Sequence, residues 1–338
     1  MDTVLINEND EEQLLKAAEL IKNGEIVGMP TETVYGLAAD ACNETAVAKI
    51  FKAKGRPSDN PLIVHLSRFS DAEKYTGNIP ALAYKIAENF CPGPITMILP
   101  KNDKIPYITS GGLDTVGIRI PAHKTARKII ELSECPIAAP SANTSGYPSP
   151  TSAKHVMYDM NGKIPAIVDG GDCKCGVEST VISFDDENTV RILRPGFITK
   201  ENLNSLGCNV IVDNAILHEV AEGERVSSPG MKYKHYSPSA KVTLVEGTSD
   251  SFSCFAETKK SKDTYFLIFD NDKLNSDCNF LTYGSDSAQQ AHNIFSKLRE
   301  LDSLGAKNVY VRVPDKNGIG LAVYNRLIRA AGFEVIKV

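Results

Sequence analysis

Residues 43–66, NETAVAKIFKAKGRPSDNPLIVHL, place a helix, a loop and a strand one after another, and this order decides the fold class. An apolar stripe predicts the helix, with members at Ala46, Val47, Ile50 and Phe51. Asn43 is its predicted N-cap and Gly55 its predicted end. The apolar run at 62–66 predicts a strand. Helices that alternate with buried strands are typical of an α/β domain.

The same alternation extends outward from this segment on both sides, across residues 1–208. Further strands are predicted at 25–29, 95–99, 116–120, 137–139, 164–168, 180–184 and 190–193. Further helices are predicted near 14–21, 81–90, 126–132, 151–160 and 199–206. Proline interrupts this part often, so the pattern leaves the order and direction of the strands open.

The chain changes character after residue 208. Residues 221–241, AEGERVSSPGMKYKHYSPSAK, have no long apolar stretch and contain two Ser-Pro steps, which predicts a linker over 209–240. Beyond it, strands are predicted at 241–245, 265–269, 308–313 and 334–338, with helices at 287–304 and 320–330. Residues 241–338 are therefore expected to form a second, small α/β domain.

Length and charge narrow the class of protein. The 338 residues exceed what one core usually supports, in agreement with two domains. The formal net charge of −5 argues against a general nucleic-acid coat, which needs a cationic surface. An acidic start, MDTVLINENDEEQ, and the lack of a 20-residue apolar run predict neither a secretory signal nor a membrane span. A cytoplasmic protein with reduced cysteines is expected.

Cationic side chains collect where no carboxylate occurs. Between Glu44 and Asp59 the charged residues are all lysine or arginine, and Lys54 and Arg56 flank the glycine that ends the predicted helix. Loop residues at the end of an element are favoured binding positions, so this pair is a candidate site for a small polyanion. The alternative for the other two cations, Lys49 and Lys52, is a solvated helix face.

Three other features carry chemistry. The stretch 140–150, PSANTSGYPSP, follows a predicted strand and precedes a helix, so its amides and hydroxyls can hold anionic oxygens, or it is simply a turn. Arg119 lies within an apolar strand and would need an anionic partner if it faces inward. His65 alternates with apolar neighbours and is more often structural than catalytic. A weak metal signal, Cys173-x-Cys175, is interpreted as an exposed loop pair.

Several of these segments together resemble the YrdC-type threonylcarbamoyl-AMP synthases. The matching motifs are PTETVYGL at 30–37, KGR at 54–56, PGP at 92–94, GIRIP at 117–121 and APSAN at 139–143. SPGMKYKHYSP at 228–238 resembles the linker of the long, two-domain form. The resemblance implies a YrdC-like domain with a twisted mixed sheet at 1–208 and a small Rossmann-like α/β domain at 241–338. The linker at 209–240 would act as a lid on the active site.

The resemblance also implies a reaction. ATP, L-threonine and bicarbonate or CO2 would give threonylcarbamoyl-AMP and pyrophosphate, the first stage of t6A formation at position 37 of ANN-decoding tRNAs. Mg²⁺ would accompany ATP, with no protein side chain assigned as its ligand. The product would pass to the tRNA threonylcarbamoyl transferase machinery. Contact with tRNA is compatible with this role but not required by it.

Site residues follow from the motifs by position. The resemblance implies catalytic roles for Lys54, Arg56, Ser141 and Asn143. It implies ATP contacts from Arg56, Asn60, Thr115, Ser141, Ser149, Arg194 and Tyr236. It implies threonine contacts from Thr33, His65, Arg119, Ala139 and Ser179. Two alternatives stay open: a non-catalytic module that binds structured RNA, and a related enzyme that uses another amine.

Overall fold

A computed structural model describes residues 2–218, 236–275 and 277–338. The predicted lid is therefore described at its two ends, and its residues 219–235, which hold most of the SPGMKYKHYSP block, lie outside the described residues. Within the described ranges, no helix combines the length and the apolar character needed to cross a bilayer.

The first part of the chain forms one large mixed sheet. Its strands are β1 Val4–Asn7, β2 Val27–Met29, β3 Gly36–Asp40, β4 Ile63–His65, β5 Ile95–Pro100, β6 Thr115–Arg119, β7 Ile137–Ala138, β8 Ala166–Asp169, β9 Thr180–Phe184, β10 Thr189–Arg194 and β11 Asn209–Val212. They lie in the order β1-β8-β2-β3-β7-β4-β6-β5-β9-β10-β11. Because β4 pairs with β6 in parallel and β5 pairs with β6 antiparallel, the predicted mixed sheet is confirmed.

Helices cover this sheet largely where the apolar stripes predict them. They are α1 Glu11–Lys22, α2 Glu44–Lys54, α3 Ala81–Phe90, α4 Tyr107–Ser110, α5 Lys124–Ser133, α6 Ala153–Met160 and α7 Lys200–Asn204. Both predicted ends of α2 are confirmed. The Asn43 side chain accepts from the amides of Thr45 and Ala46, and Gly55 takes a left-handed φ of 62°. A residue with a Cβ is strained at such an angle, so the glycine fixes where α2 stops.

The second part of the chain forms a separate, all-parallel sheet. Its strands are β12 Lys241–Glu246, β13 Thr264–Ile268, β14 Asn279–Thr282, β15 Asn308–Arg312 and β16 Val335–Lys337, in the order β14-β13-β15-β12-β16. Its helices are α8 Ser249–Lys259, α9 Ser287–Ser303 and α10 Gly318–Ala330. A small α/β domain with parallel strands agrees with the Rossmann-like expectation.

Two expectations need correction. Residues 209–212 are not linker, because β11 pairs in parallel with β10 and Val210 is buried, so the large sheet extends beyond residue 208. Cys173 and Cys175 are not exposed either: both are buried, and their segment lies beneath the second domain. Gly176 shows how close that contact is. A Cβ on this glycine would stand 2.3 Å from the carbonyl oxygen of His292 in α9.

Candidate active site

A cleft lined by polar and charged side chains opens beside the ends of β4 and β6. The loop that follows β7 forms one wall of the cleft, and Tyr236 forms part of another. Nine of the predicted site residues line it: Arg56, His65, Arg119, Ala139, Ser141, Asn143, Ser149, Arg194 and Tyr236. The fold thus brings together most of the motifs that carry the family resemblance.

One end of the cleft is built on two neighbouring strands. His65 and Arg119 are register partners at the ends of β4 and β6. Arg119 points inward and is buried, as is Glu32, and its Nη2 lies 2.8 Å from Glu32 Oε1. The expected anionic partner of Arg119 is therefore supplied by the protein itself. This contact is an ion pair without hydrogen-bond geometry, so Arg119 Nε and Nη2 have no hydrogen-bond acceptor among the described residues.

His65 is held as a neutral ring. Its Nδ1 lies 3.2 Å from the Ile63 carbonyl oxygen, and the side chain is fully enclosed. Burial, together with the nearby charge of Arg119, lowers the pKa of His65 to about 3. At neutral pH this imidazole can hold a ligand by hydrogen bonds, but it carries no charge.

Lys54 does not point into the cleft. Its Nζ donates to the carbonyl oxygens of Ser141 and Asn143, the latter at 2.6 Å. Burial lowers the pKa of this amine well below its ordinary value, and Arg56 lowers it further. Lys54 therefore fastens the wall of the cleft that carries Ser141 and Asn143.

Arg56, two residues further on, does line the cleft. Its Nη2 donates to the carbonyl oxygens of Asn60 and Pro61 at 3.3 and 3.1 Å, while Nε has no acceptor among the described residues. Burial lowers the pKa of Arg56 to about 10, so the guanidinium stays charged at neutral pH. Asn60 is buried beside it, and its Oδ1 also lacks a described partner.

A second buried arginine, Arg194, projects from the end of β10. Its Nε donates to the Ser179 carbonyl oxygen and its Nη2 to Ser179 Oγ, both at 3.1 Å. Ser179 Oγ also lies 2.8 Å from Thr96 Oγ1. Burial lowers the pKa of Arg194 to about 10, which again leaves a cation at neutral pH. Two cations, Arg56 and Arg194, thus share one cleft.

The last wall of the cleft joins both domains. Ser149 Oγ donates to Glu178 Oε1 at 2.5 Å, and Glu178 Oε2 accepts from Arg326 Nε at 3.0 Å. Burial by itself would raise the pKa of Glu178, but Arg326, Arg194 and the Ser149 hydrogen bond lower it overall. Tyr236 stands beside this chain of contacts, and Arg326 Cζ lies 5.9 Å from the centre of its ring.

Five predicted site residues lie outside the lining of the cleft. Four of them contact residues that line it or hold them in place: Thr33, Lys54, Asn60 and Ser179. Thr115 lies elsewhere, because it begins β6 while Arg119 ends it, which puts about 13 Å of strand between them. Glu32, Glu178 and Arg326 were missed. Of these three residues, only Glu32 could have been found from the sequence, because it is the carboxylate within the PTETVYGL motif.

The described carboxylates give little support for a metal site in the cleft, because Glu32 and Glu178 both face arginines. Among the described residues, one group has side chains close enough to hold a metal: Glu257, Asp277 and Cys278, in the second domain. Lys260 already forms ion pairs with Glu257 and Asp277 there. Those carboxylates are accounted for as surface ion pairs.

Two family models match most of this chain. Residues 19–196 match the family model Sua5_yciO_yrdC, described as "Telomere recombination". Residues 198–332 match the model described as "Threonylcarbamoyl-AMP synthase, C-terminal domain". The two matched segments meet near residue 197, and together they contain strands β2 to β15.

Named relatives match over nearly full length. The threonylcarbamoyl-AMP synthase of Pyrococcus abyssi is 44% identical, across 99% of this chain and 100% of that protein. The one from Bacillus subtilis is 41% identical, across 96% and 94%. A crystal structure of P. abyssi Sua5 complexed with L-threonine superposes with a TM-score of 0.93 at 41% identity, covering 99% of this chain and 100% of that one.

Proposed function

The chain belongs to the threonylcarbamoyl-AMP synthase family, and we propose that its cleft joins L-threonine, bicarbonate or CO2, and ATP into threonylcarbamoyl-AMP, with release of pyrophosphate. The observation that carries the proposal is the meeting of two kinds of site in one cleft. Arg119 offers buried donors for a carboxylate, and half-buried Arg56 and buried Arg194 offer positive charge for phosphates. The threonine complex of the Pyrococcus relative supports the assignment of the amino-acid substrate.

The end of the cleft around Arg119 would hold threonine. Two of its guanidinium nitrogens have no aligned acceptor among the described residues, which is the state expected of a donor that waits for a ligand. A planar guanidinium pairs well with a carboxylate. Glu32 would balance the charge of Arg119 when threonine is absent. Neutral His65, Ala139 and the hydroxyls of Thr33 and Ser179 would complete this end.

The other end would hold ATP. Arg56 and Arg194 would neutralise phosphate charge, and the burial of Arg194 strengthens its attraction relative to water. Ser141, Asn143, Ser149 and Tyr236 line the space between them, with Asn60 behind and Thr115 further away. Mg²⁺ would arrive on the phosphate oxygens of ATP, since both cleft carboxylates are paired with arginine.

The chemistry suits this set of residues. The threonine amine would bond to the carbon of CO2 and lose a proton to solvent, which gives a carbamate. A carbamate oxygen would then bond to the α-phosphorus of ATP while the bond to pyrophosphate breaks, and pyrophosphate leaves with the electron pair. Because the nucleophile already carries a negative charge, this step needs no general base. Positioning and charge neutralisation would lower the barrier.

A coupled assay tests the proposal. Pyrophosphate release should require ATP, threonine and bicarbonate together, and mass spectrometry should detect threonylcarbamoyl-AMP. Ser141→Ala and Arg56→Met should reduce release, with Lys52→Met on the exposed side of α2 as the matched control. Release that proceeds equally with serine would reject threonine as the specific substrate. Release without any amino acid would reject the reaction.

The wider role follows from the product. Threonylcarbamoyl-AMP carries an activated acyl group, so an enzyme that transfers it to tRNA should consume it, and a cytoplasmic setting fits this use. The RNA-binding alternative is not favoured, because the net charge is −5 and the relatives that match over nearly the full length are named threonylcarbamoyl-AMP synthases.

A further inference from the structure

The second domain contacts a charged residue of the cleft lining, Glu178, through the side chain of Arg326. Arg326 on α10 is completely buried, and it leaves its own domain to contact the first. Its Nε lies 3.0 Å from Glu178 Oε2, its Nη1 donates to the Pro195 carbonyl oxygen at 2.6 Å, and its Nη2 donates to the Glu178 carbonyl oxygen at 3.3 Å. Each of the three guanidinium nitrogens of Arg326 therefore contacts an oxygen atom of the first domain.

Glu178 links Arg326 to Ser149 in the wall of the cleft. One carboxylate oxygen faces Arg326, and the other accepts the hydrogen of Ser149 Oγ at 2.5 Å. Both Ser149 and Glu178 line the cleft. A carboxylate that two partners hold from opposite sides cannot turn, so the direction of the Ser149 hydroxyl is fixed as well.

This direction has a chemical consequence. A hydroxyl has one hydrogen, and that of Ser149 is given to Glu178, so toward the cleft Ser149 Oγ can only accept. Phosphate oxygens are acceptors too and gain nothing from it. A donor on the nucleoside, either a ribose hydroxyl or the adenine amino group, is what this oxygen would bind.

We propose that Arg326 and Glu178 are positioning residues that hold Ser149 as an acceptor for the nucleoside part of ATP. The second domain thereby completes the nucleotide end of the active site. The inference rests on the proposed function, because it takes ATP as the ligand of the cleft. A contact between domains that served stability alone would not need a charged pair, since apolar side chains of similar size stabilise a buried interface at least as well.

The test uses the full chain with four variants: Ser149→Ala, Glu178→Gln, Arg326→Met and the double variant Glu178→Gln/Arg326→Met. The double variant avoids leaving Glu178 charged and unpaired in a buried place. His292→Ala is the matched control, because it removes an exposed contact between the domains, from Nδ1 to the Lys174 carbonyl oxygen. Thermal midpoints identify any variant that does not fold.

The readout separates the nucleoside from the phosphates. Each single variant should raise KM for ATP about tenfold, the loss expected for one hydrogen bond to the ligand. Inhibition by inorganic tripolyphosphate, which lacks the nucleoside, should stay within about twofold, and so should KM for threonine. In the double variant the effect on ATP should remain about tenfold instead of multiplying, because both residues act through Ser149.

Equal weakening of ATP and tripolyphosphate, or an unchanged KM for ATP in folded variants, would overturn the inference. Calorimetric binding of ATP and tripolyphosphate to the same variants keeps it distinct from the proposed function. If the unaltered protein forms no threonylcarbamoyl-AMP but ATP binding still weakens selectively in the variants, the proposed function fails and the inference stands.

Discussion

The two ends of the cleft are built in different ways. The threonine end takes His65 and Arg119 from adjacent strands of one sheet, with Glu32 from the loop that follows β2. The nucleotide end takes Arg194 from β10, Ser149 from a loop, and two contributions from beyond the first domain, Tyr236 and Arg326. One end is local to a sheet, and the other is assembled across an interface.

This difference indicates which substrate should depend on the second domain. Strand register fixes His65 and Arg119 within the first domain, so these two side chains should keep their geometry when the second domain is disturbed. The nucleotide end exists in full only when the domains are in contact, so disturbing the interface should affect ATP first. Substitutions at each end test whether the binding of threonine and the binding of ATP can be altered separately.

The largest effect is expected for Arg119→Met. In the proposed site, loss of the guanidinium would remove charged hydrogen bonds to the threonine carboxylate, which we expect to lower kcat/KM for threonine about 100-fold, near 3 kcal/mol. KM for ATP should change less than threefold. Initial rates of pyrophosphate release with each substrate varied in turn measure both quantities. An equal loss for both substrates would show that the two ends are not separable.

Glu32→Gln is the matched control for that variant. It removes the partner charge but keeps the shape, and Arg119 stays in place. We expect threonine kcat/KM to change less than about tenfold, because the contact between the two groups lacks hydrogen-bond alignment. A loss as large as that of Arg119→Met would mean that Glu32 contacts the substrate itself.

Arg56→Met should produce the next largest effect, at the opposite end. Loss of a cation proposed to bind phosphate should lower kcat/KM for ATP about 30-fold, near 2 kcal/mol, with KM for threonine nearly unchanged. Arg56→Lys should restore only part of this, since an ammonium cannot reproduce a planar fork. Full activity in Arg56→Met would remove this residue from the nucleotide site.

Lys54→Met should weaken the fold more than the binding of either substrate. Nζ of Lys54 is the donor for two loop carbonyls, and its loss leaves both without that partner, so the free energy of unfolding should fall by about 2–4 kcal/mol. Denaturant unfolding measures this change. Lys52→Met, an exposed position on the same helix, is the control and should unfold like the unaltered protein.

Sequence reasoning succeeded where structure is local. The start and stop of α2 follow from Asn43 and Gly55, because a cap depends on residues two or three positions away. Arg119 could be singled out because an arginine inside an apolar strand demands an explanation. The family motifs then placed most of the proposed site residues in one cleft, which no spacing rule alone could do.

It failed where the partner is distant in the chain. Glu178 and Arg326 are 148 positions apart, and nothing in either local pattern indicates the other. Cys173 looked exposed because its neighbours in sequence are polar, but its side chain packs into the core of the first domain. Residues 209–212 looked like linker because a single edge strand is too short to show a clear alternation.

The smallest effect on activity is expected from pH. The pKa of His65 falls from 6.5 when unfolded to about 3 when folded, so only the unfolded state binds a proton between those values. The contribution of His65 to stability is therefore constant above pH 6.5 and declines below it, by about 1.4 kcal/mol per pH unit at most. His65→Gln should flatten this decline when unfolding is measured at pH 5 and pH 7. KM for threonine should nevertheless differ less than twofold between pH 5.5 and 7.5, since His65 stays neutral throughout. If KM for threonine instead followed an ionisation near pH 6.5, solvent would reach His65. The threonine end would then not be the enclosed site that the strand positions of His65 and Arg119 indicate.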